Sequence, residues 1–316
     1  MATDAGVAET LNRAEQEHQT MATDTLTTAP NQLRALLEQG GLISMPCCGD
    51  ALSARLIEQA GFSLTFMSGF AAAAHRLGAP DTGLMSYAEV LDQGRNILEA
   101  VRIPVIGDGD TGYGNPLNLQ RTLRGFAQAG FAAIMLEDQV APKRCGHTRG
   151  KAVVEREEAC DRIRAAVEAR DQGADILILA RTDARALLGL NEAIERANRF
   201  RELGADMLFV EAPETREELA TICREAPGIH LANMLEGGLT PILPPAELEA
   251  LGIRIAAYPL TLLATAMQAM TEALAELKAG RHPQRLMGFP ELRRRLGFED
   301  YDATAARYGR YRNSEA

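Results

Sequence analysis

The chain has 316 residues, 46% hydrophobic and 24% charged, with a formal net charge of −10. No apolar run reaches the roughly 20 residues of a membrane span, so neither a transmembrane segment nor a membrane partner is expected. The negative balance argues against a nucleic-acid surface, and any anionic substrate then needs a local cation, from clustered Arg and Lys or from a metal.

The first 30 residues are polar and acidic and lack both the apolar stretch of a signal peptide and the Arg-rich character of a transit peptide. They read as a disordered or loosely ordered tail, with Met21 as a second candidate start. From Leu42 onward, short apolar runs alternate with segments of helical periodicity. The runs Leu42–Met45, Leu64–Met67, Val105–Asp108, Ala133–Glu137, Ile176–Arg181, Met207–Val210, His230–Asn233 and Ile253–Tyr258 read as strands. Helices are predicted over Asp50–Ala60, Ser86–Ala100, Asn115–Ala129, Glu155–Gln172, Asn191–Leu203, Arg216–Glu225 and Leu260–Lys278. Glycines in "AGF" (twice), "QGAD" and "LGAD" precede four of the strands, where helix C-caps need them.

Strands alternating with helices imply a parallel sheet, and eight such units favour a closed α/β (β/α)8 TIM-type barrel over residues 31–280. The competing open dinucleotide-binding sheet would carry G-x-G-x-x-G after its first strand, and "MPCCGDALSA" stands there instead. Residues 281–316, rich in Arg with aromatic stretches, read as a C-terminal helical arm, either a surface appendage or an arm that packs on a neighbouring subunit.

In a barrel, chemistry sits at the C-terminal ends of the strands. There the sequence places Ser68 and Gly69 after strand two, and Asp108 and Asp110 in "GDGDTGYGN" after strand three. Glu137 and Asp138 end strand four, Arg181 strand five, Glu211 strand six and Asn233 strand seven. Carboxylates from neighbouring strand ends repel one another in a partly dry site, and a divalent cation with oxygen ligands and retained waters, Mg²⁺ rather than zinc, resolves that repulsion. Other roles stay open. Asp108 and Asp110 could cap the next helix, and Arg181 could do no more than neutralise Glu211.

The segment "VAPKRCGHTRGK" (140–151) is polar, glycine-punctuated and loop-like. Four readings compete: a solvated basic loop, a zinc pair of Cys145 and His147, a nucleophilic Cys–His pair, or a lid carrying an acid/base thiol over a metal-bound substrate. The five cysteines, Cys47, Cys48, Cys145, Cys160 and Cys223, show neither zinc spacing nor a disulfide framework, which fits a reducing, cytoplasmic location.

"EDQVAPKRCGHTRGK" (137–151) resembles the lyase motif of the isocitrate lyase/phosphoenolpyruvate mutase superfamily. "SGF" (68–70), "LGAPDTG" (77–83), "GDGDTGYGN" (107–115), "ARTDA" (180–184), "FVEAP" (209–213), "NMLEGGLTP" (233–241) and "AAYPL" (256–260) match in order. The likeness spans about Leu33 to Tyr308 and is greatest to the branch of 2,3-dimethylmalate lyase and petal death protein. Plant chloroplast proteins labelled carboxyvinyl-carboxyphosphonate phosphorylmutase look similar too.

The resemblance implies a carbon–carbon lyase acting on a small 2-hydroxy dicarboxylate. Mg²⁺, or Mn²⁺ in its place, would bind Asp108 directly and Asp81, Asp110, Glu137 and Asp138 through water. Ser68, Gly69, Asp81, Gly146, Arg181 and Asn233 would hold substrate; Lys143 and Cys145 would ride the closing loop, with Cys145 the proton donor and His147 and Glu211 completing the pocket. It also implies an exchanged eighth helix and a dimer of dimers. Gly49 departs from relatives with an aromatic residue there, so the alkyl pocket would be set around Gly49, Phe70, Tyr113 and Ile242. The intact "CGH" favours carbon–carbon over carbon–phosphorus chemistry, and oxaloacetate hydrolysis remains an alternative.

Overall fold

The structure is a computed structural model that describes residues 28–148 and 150–308. Nearly all of the expected loose tail, and the last residues of the expected arm, lie outside the described residues.

Eight parallel strands close on themselves: β1 (Ile43–Cys48), β2 (Thr65–Met67), β3 (Val105–Asp108), β4 (Ala133–Glu137), β5 (Leu177–Thr182), β6 (Met207–Val210), β7 (His230–Asn233) and β8 (Ile253–Tyr258), with β1 hydrogen-bonded to both β2 and β8. The expected barrel is therefore present. β1 runs past the predicted end at Met45. Pro46 is tolerated because it has no N–H to satisfy and its carbonyl accepts from the Thr65 hydroxyl at 2.9 Å.

The helices are α1 (Ala29–Glu38), α2 (Ala51–Gln59), α3 (Gly69–Leu77), α4 (Tyr87–Ala100), α5 (Pro116–Ala129), α6 (Arg156–Asp171), α7 (Arg185–Leu188), α8 (Leu190–Glu202), α9 (Arg216–Glu225), α10 (Pro245–Leu251), α11 (Thr261–Lys278), α12 (Phe289–Leu296) and α13 (Phe298–Ala306). Their starts are written in the sequence. Asp50 with Ser53, Ser86 with Glu89 and Asn115 with Asn118 form reciprocal caps. Asn115 therefore does the helix capping that Asp108 and Asp110 could have done. Gly61, Gly130, Gly173 and Gly204, the four glycines of the αβ exits, all have positive φ.

Side chains alternate along each strand, so one set fills the barrel and the other meets the helices. The interior holds Met45, Cys47, Phe66, Ile106, Met135, Leu179, Phe209, Leu231 and Ala257, and fully buried Leu33 of α1 joins this cluster. Arg254 of β8 donates to the carbonyls of Leu36 and Leu37, tying the end of α1 to the barrel. Outside the strands, one cluster includes Val105, Ile134, Leu136 and Ile178 with helix residues such as Leu119, Phe126, Ile163 and Phe200, and a smaller one joins Ala232 and Ile253 to Leu219 and Leu248.

The chain forms two compact units, one ending at Thr261 and one beginning at Leu262. The division falls just after the first residue of α11. In the second unit Met267, Met270, Leu274 and Leu277 of α11 are exposed. Among the described residues, no helix is long and apolar enough to cross a membrane.

Candidate active site

On six of the eight strands, the side chain two positions beyond an apolar floor residue is polar or charged. Phe66 is followed by Ser68, Ile106 by Asp108, Met135 by Glu137, Leu179 by Arg181, Phe209 by Glu211 and Leu231 by Asn233. The barrel therefore carries an apolar floor beneath a polar ring. Above them lies a cavity of about 620 Å³, its mouth included, lined by floor residues such as Cys47, Phe66 and Phe209 and by Ser68, Asp81, Asp108, Lys143, Cys145, Gly146, His147, Arg181, Glu211 and Asn233.

One side of the ring is a buried acid cluster. Lys143 reaches it from the 140–151 loop, with its ammonium 2.7 Å from Asp81, 2.8 Å from Asp110 and 4.0 Å from Asp108. The Asp108 carboxylate accepts from the backbone N–H of Gly69 at 3.1 Å and of Asp110 at 3.0 Å. The Gly69 N–H, expected to hold a substrate carboxylate, is thus turned to Asp108. A Cβ at Gly69 would stand 2.5 Å from that carboxylate, so the close approach requires glycine. Ser68 caps α3 with its hydroxyl oxygen at 3.3 Å from the Ala71 nitrogen, and it lines the cavity as expected.

Burial, opposed by Lys143 but reinforced by Asp108 and Asp81, pushes the Asp110 carboxyl up to about 6. Burial also raises Glu137 well above the ordinary carboxylate range, against the pull of Arg181 and Lys143. Glu137 Oε1 is buried without a hydrogen-bond partner. Lys143, despite a burial that works against its charge, is held well above the usual lysine range by Asp110, Asp108, Glu137 and Asp81.

This is a donor set short of positive charge, and it fits a hard divalent cation. Among the described residues, no three His, Cys, Asp or Glu side chains are already gathered as a cation cage.

Across the cavity, Arg181 joins three carboxylates. Its guanidinium lies 3.4 Å from Glu137, 2.8 Å from Asp183 and 3.0 Å from Glu211. Arg181 does pair with Glu211, the simpler role left open above, and it also lines the cavity. Burial would raise Asp183, but Arg181 and Lys151 override it and hold the carboxyl at about 2. Burial likewise opposes the charge on Glu211, yet Arg181 and His147 keep its pKa below the ordinary value. Asn233 donates to Glu211 at 3.2 Å.

Asp138, expected near the metal, is turned the other way. It pairs with Arg196 of α8 at 3.0 Å and accepts from Thr182 at 2.6 Å and from the Asp183 N–H at 2.8 Å. The reason is strand geometry: Glu137 faces inward, so its neighbour faces the helices.

The 140–151 loop is not simply a solvated basic loop: Arg144 and Thr148 are exposed, but Lys143 and Lys151 are buried. His147 sits 3.0 Å from Glu211 through Nε2, and its Nδ1 accepts from the Leu239 N–H at 3.0 Å. Nδ1 accepts, so Nε2 carries the proton and faces the Glu211 carboxylate, close enough to pair with it but without hydrogen-bond geometry. Both ring nitrogens are thus engaged away from Cys145, which removes the Cys–His nucleophile reading. Burial pushes the Cys145 thiol up, with the His147 backbone N–H pulling the other way. Cys145 is held as a thiol that can give a proton.

Of the residues expected to meet an alkyl group, Phe70 lines the cavity. Tyr113 lines a smaller side pocket beside Asp108 and Asp110, and Ile242 is exposed. At Gly49 a Cβ would come within 2.6 Å of the Ala71 backbone, so α3 occupies the space a side chain would need. Sequence reasoning placed Asp183 at the end of strand five without a role, and missed Cys47, Leu235, Pro259 and Leu260 in the lining and Lys151 and Arg196 behind it.

A family model described as phosphoenolpyruvate phosphomutase matches residues 33–278. The chain is 44% identical to the 2,3-dimethylmalate lyase of Eubacterium barkeri over 247 residues, 78% of this chain and 85% of that protein. A solved oxaloacetate acetylhydrolase, in complex with 3,3-difluorooxalacetate, superposes with a TM-score of 0.85 at 36% identity, covering 90% of this chain and 98% of that one. A phosphonopyruvate hydrolase solved with oxalate and Mg++ gives a TM-score of 0.79 at 31% identity, covering 89% and 99% of the two chains.

Proposed function

The chain belongs to the phosphoenolpyruvate phosphomutase family of the isocitrate lyase superfamily and is an enzyme of that lyase type; we propose that it is a Mg²⁺-dependent lyase that cleaves the C2–C3 bond of a 2-alkylmalate or 2,3-dimethylmalate-like acid. The products are an α-keto acid and a saturated carboxylic acid. The observation that carries this reading is the Cys145 thiol, its pKa raised by burial, lining a cavity that joins the Asp108 cluster and Arg181 to an apolar floor. A 2-hydroxy diacid needs cationic recognition for its carboxylates, an apolar wall for its alkyl groups and a proton for the departing carbon.

Asp108 would hold the metal, with Asp81, Asp110 and Glu137 reaching it through water. When bound, the ion supplies the positive charge that lowers the pKa of the substrate hydroxyl. Arg181 and Ser68 bind and orient the carboxylates. The hydroxyl proton passes to a carboxylate lining the cavity, the hydroxyl oxygen forms the C2 carbonyl, and the C2–C3 pair passes to C3, where the adjacent carboxylate delocalises it. Cys145 delivers its proton to C3. The loop that carries the thiol also excludes water, which would otherwise quench the carbanion.

Floor residues Cys47, Phe66, Met135, Phe209 and Leu231 favour alkylated substrates over oxaloacetate, which has no alkyl group to meet them. The test is a panel of 2-alkylmalates, 2-methylisocitrate, phosphonopyruvate and oxaloacetate with product identification. A keto acid plus a saturated acid supports the reading. Oxalate plus acetate as the main products would make the protein a hydrolase, and binding of oxalate with no turnover of any diacid would make it a ligand-binding barrel.

An assembly of copies is part of the proposal. Met267, Met270, Leu274 and Leu277 repeat at helical spacing and are exposed on α11, a stripe that a second copy would cover. Light scattering that returns a monomer mass would remove this part.

A further inference from the structure

Cys145 lies inside a long loop, yet the residues on either side of it are each held by a side chain from the loop's own base. The base is a short antiparallel contact. Gln139 bridges Val153, the Val140 N–H donates to Ala152 at 2.8 Å, and the Val154 N–H donates to Asp138 at 2.9 Å. Arg162 of α6 fixes this neck by donating to the carbonyls of Glu137 at 3.1 Å and Gln139 at 2.8 Å.

From the entering strand of the neck, the fully buried Gln139 side chain reads both backbone groups of Arg144. Its amide nitrogen donates to the Arg144 carbonyl at 2.8 Å, and its oxygen accepts from the Arg144 N–H at 2.9 Å. From the leaving end, the buried Lys151 ammonium donates to the Gly146 carbonyl at 2.5 Å and to Asp183 at 2.8 Å. Asp183 is the carboxylate that also holds Arg181.

We propose that Gln139 and Lys151 are positioning residues for the reaction. They clamp the residues on either side of Cys145, Arg144 and Gly146, so the thiol is carried on a preformed loop, and Lys151 registers that loop to Arg181 through Asp183. The contacts divide into two sets. Gln139 to Arg144 and Lys151 to Gly146 lie within the loop segment and set its shape. Lys143 to the acid cluster, His147 to Glu211 and Lys151 to Asp183 join it to the barrel and are the ones that opening must break. The loop moves as a shaped unit hinged at its neck, because reshaping it would strand a buried amide and a buried ammonium. Catalytic relevance rests on Cys145 as proton donor; the clamp itself does not.

The experiment compares wild type with Gln139→Leu, Lys151→Met and Lys151→Arg. Iodoacetamide labelling of Cys145 is followed by peptide mass spectrometry, beside kcat and KM for the best diacid of the panel. Losing a charge-assisted bond is expected to speed labelling of Cys145 about tenfold in Lys151→Met, with Cys47 and Cys48 unchanged. kcat should fall while KM moves little, and Lys151→Arg should recover part of both effects. Should Gln139→Leu fail to fold, the lysine pair decides. Labelling of Cys145 at the wild-type rate in Lys151→Met would overturn the proposal, whatever kcat does. Faster labelling alongside a fully active Cys145→Ser enzyme would keep the clamp and remove the proton-donor role.

Discussion

The carboxylates of Glu137 and Asp138, consecutive in sequence, stand on opposite sides of the barrel wall. Glu137 lies 3.4 Å from Arg181 on the inside, and Asp138 lies 3.0 Å from Arg196 among the helices. The two should therefore fail differently when changed. Asp138→Ala leaves the buried Arg196 with Glu192 as its one carboxylate partner and strips the Thr182 hydroxyl and Asp183 N–H of their acceptor, and should cost about 3 kcal/mol in urea unfolding. Glu137→Gln keeps a side chain of the same shape at a group that burial already pushes toward its neutral form. It should leave stability within about 1 kcal/mol and lower kcat. Equal loss of stability in both variants would show that the wall does not separate their roles.

That separation also marks what the sequence disclosed. The strand-end carboxylates were legible because strands alternating with helices can close in few ways, and barrel strand ends converge. Which of two adjacent acids faces the cavity was legible in principle: counting two on from Met135 reaches Glu137 and skips Asp138. Arg196 carried a fainter signal, a charge on the helix face otherwise formed by Ala193, Ala197 and Phe200. α3 was missed because four alanines have no apolar periodicity to read, although Ser68 caps them well. Lys151 and Gln139 were beyond reach, since each holds a backbone group that only the folded loop presents.

The thiol sets a pH dependence whose sign is fixed by burial. Cys145 has its pKa raised from the ordinary 9.0, so the protonated donor persists to higher pH than a free cysteine would allow. kcat should show no thiol-dependent decline between about pH 7 and 9, and Cys145 should label slowly across that range. A kcat that falls with a midpoint near 7, in step with faster labelling, would mean that the working group is a thiolate.

Gly146 has no room for a side chain. A Cβ there would stand 2.5 Å from Glu211 Cγ and closer still to the Arg181 guanidinium. Gly146→Ala should fold with the wild-type melting temperature, because the clash arises only when the loop seats, while kcat/KM falls by about 10²-fold. Wild-type activity in this variant would mean that the loop need not close as it does here.

Asp108→Ala should abolish turnover at millimolar Mg²⁺ and remove the heat of Mg²⁺ plus oxalate binding in calorimetry. EDTA should silence the wild-type enzyme reversibly. Turnover that is indifferent to EDTA would take the metal out of the reaction.

The most direct test follows the proton. Cleavage of 2,3-dimethylmalate in D₂O, with products read by NMR, should give pyruvate and propionate carrying one deuterium at C2, placed on a single face. Cys145→Ser should lower the rate by about 10²- to 10⁴-fold. Deuterium on both faces, or a Cys145→Ser enzyme that turns over at the wild-type rate, would contradict delivery of the proton by the Cys145 thiol.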